Sequence, residues 1–218
     1  MLNFQGSKKT LGLTLAGLIT LGAALSFGVV TPWVATPPAI NSLSLTHHAL
    51  LIGISEYPTL PERRQLTGGP HNDVLLMQRM LYDKGFSPER ITVLADGVAG
   101  SVGLPTRAAI LDALTALSER VNPGDFVVVY YSGHGSQQPV TTQTAASEPD
   151  GLDEILIPRD IGKWSDDALG AVENAIVDDE IGARLTALRQ RGAFVWAIFD
   201  NCHAATVTRQ APPEDWRD

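Results

Sequence analysis

Sulfur is scarce in this chain. Among 218 residues there is one cysteine, Cys202, so no intrachain disulfide can form and the thiol needs another explanation. Charge is also sparse, at 18% of residues, and the formal net charge is −8 with no basic stripe. That balance excludes a protein that grips nucleic acid through its phosphates. No glycine-rich phosphate loop follows the first expected strand, since Gly53-Ile54-Ser55-Glu56 does not supply one; this argues against a nucleotide-binding α/β domain. No internal repeat occurs. With 44% hydrophobic residues, the chain can bury one ordinary core.

Acidic residues are missing altogether before Glu56, and residues 11–30 carry no charge of either sign. Twenty helical residues at about 1.5 Å each would span the hydrocarbon core of a bilayer. Lys8 and Lys9 precede that stretch, which favours an N-terminus kept in the cytoplasm and an exported body. A cleaved signal peptide is the rival reading. Its apolar region is usually shorter, roughly 7–15 residues, and Trp33-Val34-Ala35 is a poor small-x-small site. Residues 1–30 are therefore expected to be a cytoplasmic stub and transmembrane anchor, and residues 31–46, with three prolines, a linker. The folded body is expected outside the cytoplasm, in a bacterial periplasm or at a cell surface, with secretion as the alternative.

Within the body, short apolar runs alternate with helical periodicity. Residues 49–54 and 91–94 read as strands ended by turn residues. Residues 70–84 carry Val74, Met77 and Leu81 at helical spacing, with Gly85 as the stop. Thr106 can cap a helix whose apolar face is Ile110, Ala113, Leu114, Leu117 and Val121. A further helix opens at Asp178, which is a good N-cap, with Ile181, Leu185 and Leu188 facing inward. Residues 155–157 suggest a short extra strand. Acid is concentrated between Glu148 and Glu180, where eleven of the 24 acidic residues meet only Arg159 and Lys163; a solvated loop is the default reading of that stretch. The alternation predicts an α/β fold with a mainly parallel sheet.

Two segments carry chemistry. Residues 126–131 and 194–199 read as buried strands of a parallel sheet. Directly after them come Ser132-Gly133-His134-Gly135 and Asp200-Asn201-Cys202-His203. A histidine and the single cysteine thus both sit just past the carboxyl ends of strands, where open α/β sheets place their ligands. A nearby imidazole can take the proton of a thiol that is otherwise a weak nucleophile at neutral pH. Glycines on both sides of His134 are expected to leave its ring exposed. His203 adjoins Cys202 but would point away from it, and no role is assigned to it.

These segments, together with Leu66 to Val74, Asp150-Gly151-Leu152-Asp153-Glu154 and Ile176 to Ile181, occur in an order that resembles the caspase-like cysteine peptidases, specifically the metacaspase branch. The resemblance runs from Ala49 to Cys202. It implies a three-layer sandwich around a mainly parallel sheet, His134 as base, Cys202 as nucleophile, and the backbone amides of Gly135 and Cys202 as an oxyanion hole. It also implies a specificity pocket built from Asp73, Ser132 and Asp200, and hence peptide or protein substrates cleaved after Arg or Lys. Without the resemblance, Asp73 would simply favour a helix N-terminus and Asp200 would order a turn. Asp153, Asp178 and Asp179 match aspartates that hold an activating calcium; the chemistry itself needs no cofactor. Asn201 stands where the family usually has Ser, and Ala204-Ala205 where it has Ser-Gly. The family's domain normally continues with two more strands and a helix. The peptidase domain expected over residues 47–210 therefore lacks C-terminal strands, residues 211–218 form a tail, and the expectation is either a truncated product or a separate C-terminal fragment as partner. A catalytically impaired interaction or regulatory module is the alternative function.

Overall fold

The computed structural model describes residues 45–140, 151–163 and 171–201. The expected anchor, all of the linker but residues 45 and 46, Cys202, His203 and the tail lie outside the described residues. Among the described residues, no helix is long and apolar enough to cross a membrane.

Four strands form a parallel sheet in the order β2-β1-β3-β7: β1 (His47–Gly53), β2 (Ile91–Ala95), β3 (Phe126–Gly133) and β7 (Phe194–Asn201). Helices α1 (Gly69–Asp83), α2 (Arg107–Arg120) and α3 (Asp178–Gln190) supply the crossovers. The near-continuous apolar runs of β1 and β3 follow from burial on both faces. Leu50, Ile52, Val127, Val129 and Tyr131 face Ile110, Leu114 and Leu117 of α2 and Ile181, Leu185 and Leu188 of α3. Ala49, Leu51, Val128 and Tyr130 face Val74 and Leu81 of α1. The expected α/β class and mainly parallel sheet are therefore present, as a three-layer arrangement.

Three differences from the sequence reading have physical causes. The β7 run is the outermost strand among the described residues, with Phe194 67% and Trp196 50% exposed, so it is not the buried strand its apolar character suggests. The acidic stretch holds more than the expected short strand and helix start. It contains β5 (Leu152–Leu156), β6 (Ile176–Val177) and the start of α3, and β5 pairs antiparallel with both β4 (Gly135–Pro139) and β6. This small sheet escapes a hydrophobic-pattern reading because β4 is Gly-Ser-Gln-Gln-Pro and because Asp153, not an apolar residue, occupies a fully buried place in β5. Finally, Val177 and not Asp178 precedes the first turn of α3; its amide donates to Glu180 Oε2 at 3.3 Å, which satisfies the helix start from within.

The amino end of the sheet is tied by a buried polar group. Asp125 accepts hydrogen bonds from the amides of Asn122 at 2.9 Å and Thr46 at 3.1 Å and lies 3.3 Å from His48 Nε2. It thereby clips the start of β1 to the start of β3. The opposite, carboxyl end carries the residues singled out above.

Candidate active site

The parallel register of β3 and β7 ends on Ser132 opposite Asp200 and Gly133 opposite Asn201. The next residue of one strand is His134, and the next residue of the other is Cys202. At His134 the chain leaves the main sheet and enters β4, so the histidine stands at the joint of the two sheets.

Contrary to the expectation from its flanking glycines, His134 is only 7% exposed. The glycines serve close approach instead. A Cβ on Gly133 would lie 2.9 Å from Tyr57 Oη and 3.0 Å from Tyr131 Oη, and one on Gly135 would overlap the Asn201 side-chain amide. The His134 ring lies against Tyr57, with centroids 4.8 Å apart and planes tilted by 38°. Its Nε2 is 2.7 Å from the main-chain carbonyl oxygen of Arg64. A carbonyl can only accept, so Nε2 carries the hydrogen and Nδ1 of the neutral ring carries a lone pair. That is the tautomer of a base.

Main-chain groups around the ring are fixed as well. The His134 amide donates to Tyr57 Oη at 2.8 Å, and Tyr131 Oη donates to the His134 carbonyl at 2.7 Å and the Ile157 carbonyl at 3.1 Å. Complete burial pushes the Tyr131 phenol well above its ordinary pKa, which keeps it a donor. The amide of Ile157 donates to the His134 carbonyl, so Gly135 and Leu156 pair at a non-hydrogen-bonded position and the Gly135 amide turns away from β5.

Beside this joint is an open cleft of about 320 Å³, lined by Gln65, Thr67, Pro70, Asp73, Ser132 and Asp200 among others. The structure thus brings Asp73, Ser132 and Asp200 to one wall, from α1, β3 and β7. Ser132 Oγ donates to Asp73 Oδ2 at 3.0 Å, and Tyr130 Oη donates to Asp200 Oδ2 at 3.3 Å. Burial first, and then the negative charge of Asp73 and Asp200, pushes the Tyr130 phenol up to about 12. The cleft is a hydrogen-bonding, anionic recess open to solvent.

The third group of acids is less converged. Asp153 is buried in β5, while Asp178 and Asp179 start α3. Burial raises the Asp178 carboxyl above its usual range, helped by the charges of Asp179, Glu154 and Asp153 and opposed by a hydrogen bond from the Asp179 amide. Among the described residues, no three His, Cys, Asp or Glu side chains are grouped closely enough to hold a metal ion.

Sequence reasoning missed Tyr57, Arg64, Gln65 and Tyr130. Arg64 acts through its carbonyl, which no side-chain pattern reveals. Tyr57 left a faint signal: an aromatic in a turn of Ser, Glu and Pro directly after the first strand.

The chain is similar to known proteins. The metacaspase peptidase C14 domain matches residues 47–210. Metacaspase-1 of Kluyveromyces lactis is 34% identical over 160 residues, 73% of this chain and 33% of the relative. Metacaspase-1 of Candida albicans is 33% identical over 161 residues, with 73% and 33% covered, and that of Mycosarcoma maydis is 34% identical over 167 residues, with 77% and 38% covered. The chain thus spans about a third of the length of these curated relatives. The crystal structure of a Geobacter sulfurreducens protein superposes with a TM-score of 0.51 at 25% identity, covering 74% of this chain and 52% of that one. With a matching domain over residues 47–210, a shared fold and the histidine at the end of β3, the chain belongs to the metacaspase family of caspase-like cysteine peptidases.

Proposed function

We propose that this protein is a cysteine-type endopeptidase that cleaves peptide bonds after Arg or Lys with a Cys202–His134 dyad. The observation that carries the reading is the β3–β7 register together with the His134 tautomer: Gly133 and Asn201 are paired, each directly precedes one member of the dyad, and Nδ1 is left with a lone pair. Nδ1 takes the proton from Cys202 Sγ, and the thiolate attacks the carbonyl carbon of the scissile bond. The amides of Gly135 and Cys202 receive the developing oxyanion. As the C–N bond breaks, His134 returns the proton to the leaving amine and an acyl-enzyme thioester remains. Water, deprotonated by the same nitrogen, attacks the thioester and releases the carboxylic acid and the thiol.

The cleft beside the dyad favours a cationic side chain for the residue before the scissile bond. A guanidinium or ammonium between Asp73 and Asp200 gains charge-assisted hydrogen bonds, and Ser132 holds Asp73 in place. An aspartyl side chain there would meet two like charges. Calcium activation through Asp153, Asp178 and Asp179 is part of the proposal. Their all-carboxylate chemistry suits a hard cation; burial first, and then the charges of Asp179, Glu154 and Asp153, raise Asp178, and such an ion would offset the charge contribution. No catalytic step depends on it. We further place the folded body outside the cytoplasm, behind the apolar segment at residues 11–30, and assign the edge of β7, which pairs with no further strand among the described residues, to a C-terminal piece that completes the sheet.

Hydrolysis of peptide amides bearing Arg, Lys or Asp before the cleaved bond tests the reading. Cleavage of the Arg and Lys substrates that is abolished by Cys202→Ala is expected. Preference for Asp, or activity that survives Cys202→Ala, overturns it.

A further inference from the structure

The inference deepens the peptidase reading of His134 and rests on it. We propose that Tyr57 is the positioning residue of that histidine: its phenol holds the His134 main chain, its ring supports the imidazole, and its own peptide group anchors the loop that delivers the Arg64 carbonyl.

Tyr57 is fully buried although it sits in a turn between polar residues and Pro58. A buried phenol requires partners. Its oxygen accepts from the His134 amide at 2.8 Å and is hydrogen-bonded to the Tyr131 phenol, which donates to the His134 carbonyl at 2.7 Å. The peptide groups on both sides of the His134 α-carbon are therefore fixed by two phenols, and the glycine at position 133 leaves room for both. The Tyr57 ring also lies 4.8 Å from the imidazole, centroid to centroid.

The other side of the imidazole is set by the same residue through the loop that follows it. Gln65 Oε1 accepts from the Tyr57 amide at 2.6 Å, and Gln65 Nε2 donates to the Tyr57 carbonyl at 2.8 Å and the Leu60 carbonyl at 3.0 Å. One side-chain amide thus closes residues 57–65 into a clasp. Arg64, the neighbour of Gln65, turns its carbonyl onto His134 Nε2 at 2.7 Å. The base of the clasp is held by Asp96, which accepts from the amides of Ser55 at 2.8 Å and Glu56 at 2.6 Å. Backbone position, ring support and tautomer of His134 all trace to Tyr57. The phenol supplies the first through its hydrogen bond, the ring the second, and the Tyr57 peptide groups the third.

Full-length Tyr57→Phe, prepared with ¹⁵N-labelled histidine, tests this. The His134 ring signals, identified by their loss in His134→Ala, should report the Nε2–H tautomer in the wild type. In Tyr57→Phe they should shift toward a tautomer mixture while kcat falls about 10- to 100-fold, the scale of a small misplacement of a reacting group, and KM stays unchanged. Gln65→Leu, which removes the bonds to the Tyr57 peptide groups that Tyr57→Phe keeps, should produce the same ring change and serves if Tyr57→Phe does not fold. Tyr82→Phe, on the exposed side of α1, should change neither readout. Unchanged ring signals in both variants overturn the inference, even if kcat falls. So does a changed tautomer with wild-type kcat. An inactive wild type would count against the peptidase reading alone, and the ring spectrum then decides the inference by itself.

Discussion

At the scale of single residues, burial makes His134 structural as well as chemical. His134→Ala removes the donor to the Arg64 carbonyl beneath the Tyr57 ring. Losing one such hydrogen bond costs about 0.5–1.5 kcal/mol. We therefore expect this variant to lose activity entirely and to unfold at lower denaturant, whereas Cys202→Ala loses activity alone; activity assays and denaturant titrations check both. Asp73→Asn keeps an acceptor for Ser132 and removes one charge from the cleft. Losing one partner of a desolvated charge pair costs about 2–5 kcal/mol, so kcat/KM for arginyl substrates should fall by at least an order of magnitude while uncharged substrates are spared. An equal loss on both would mean that Asp73 shapes the site rather than selecting charge. His134 was legible because it follows a strand end, whereas Asp73, Ser132 and Asp200 entered only through the resemblance; the structure brings these three to one cleft. Tyr57 and Gln65 were not legible, because their effect depends on a loop folding back 8 residues along the chain.

Among the elements, hydrophobic periodicity was sufficient wherever one residue pattern met one environment. Thr106 caps α2 by accepting from the Ala109 amide at 3.3 Å, and Ile110, Leu114 and Leu117 form its inner face. Strand β3 alternates its side chains between two apolar layers. The pattern failed for the polar β4 and caught only the end of β5, which carries a buried acid, because pairing rather than side-chain character defines them. It also misjudged β7, where an apolar strand lies at the edge. The clip between β1 and β3 gives a pH test. Burial lowers the His48 pKa below its usual value, with Asp125 opposing that shift and Arg90 and Arg120 adding to it. The unfolded chain therefore binds the proton more readily than the folded one. Stability from this residue is present above about pH 6.5, the unfolded value, and is lost as pH falls through the lower folded value. Burial would raise Asp125, yet the amides of Asn122 and Thr46 and the His48 bond hold it below the usual range, so its contribution is lost only in stronger acid. Urea midpoints measured between pH 7 and 5 should decline, and His48→Gln, which keeps a donor but does not titrate, should flatten that decline. An unchanged slope would assign the acid sensitivity elsewhere.

For the molecule as a whole, the site exists because three crossovers return each strand in parallel, so that α1, β1, β3 and β7 contribute to one end of one sheet. That convergence was legible from the order of the segments, since residues separated by 59 to 70 positions meet at the cleft. The edge of β7, with Phe194 and Trp196 exposed, was not, because a strand's neighbours cannot be read from the strand itself. The central claim is that two strand ends assemble a histidine-activated thiol beside an anionic cleft. Its most direct measurement is the rate at which an arginyl peptide ketone electrophile labels the protein, followed by intact mass and peptide mapping. The account predicts a single adduct on Cys202, formed much more slowly in His134→Ala and by the aspartyl analogue. Labelling of Cys202 at the same rate in His134→Ala, or with no preference for Arg over Asp, would contradict it.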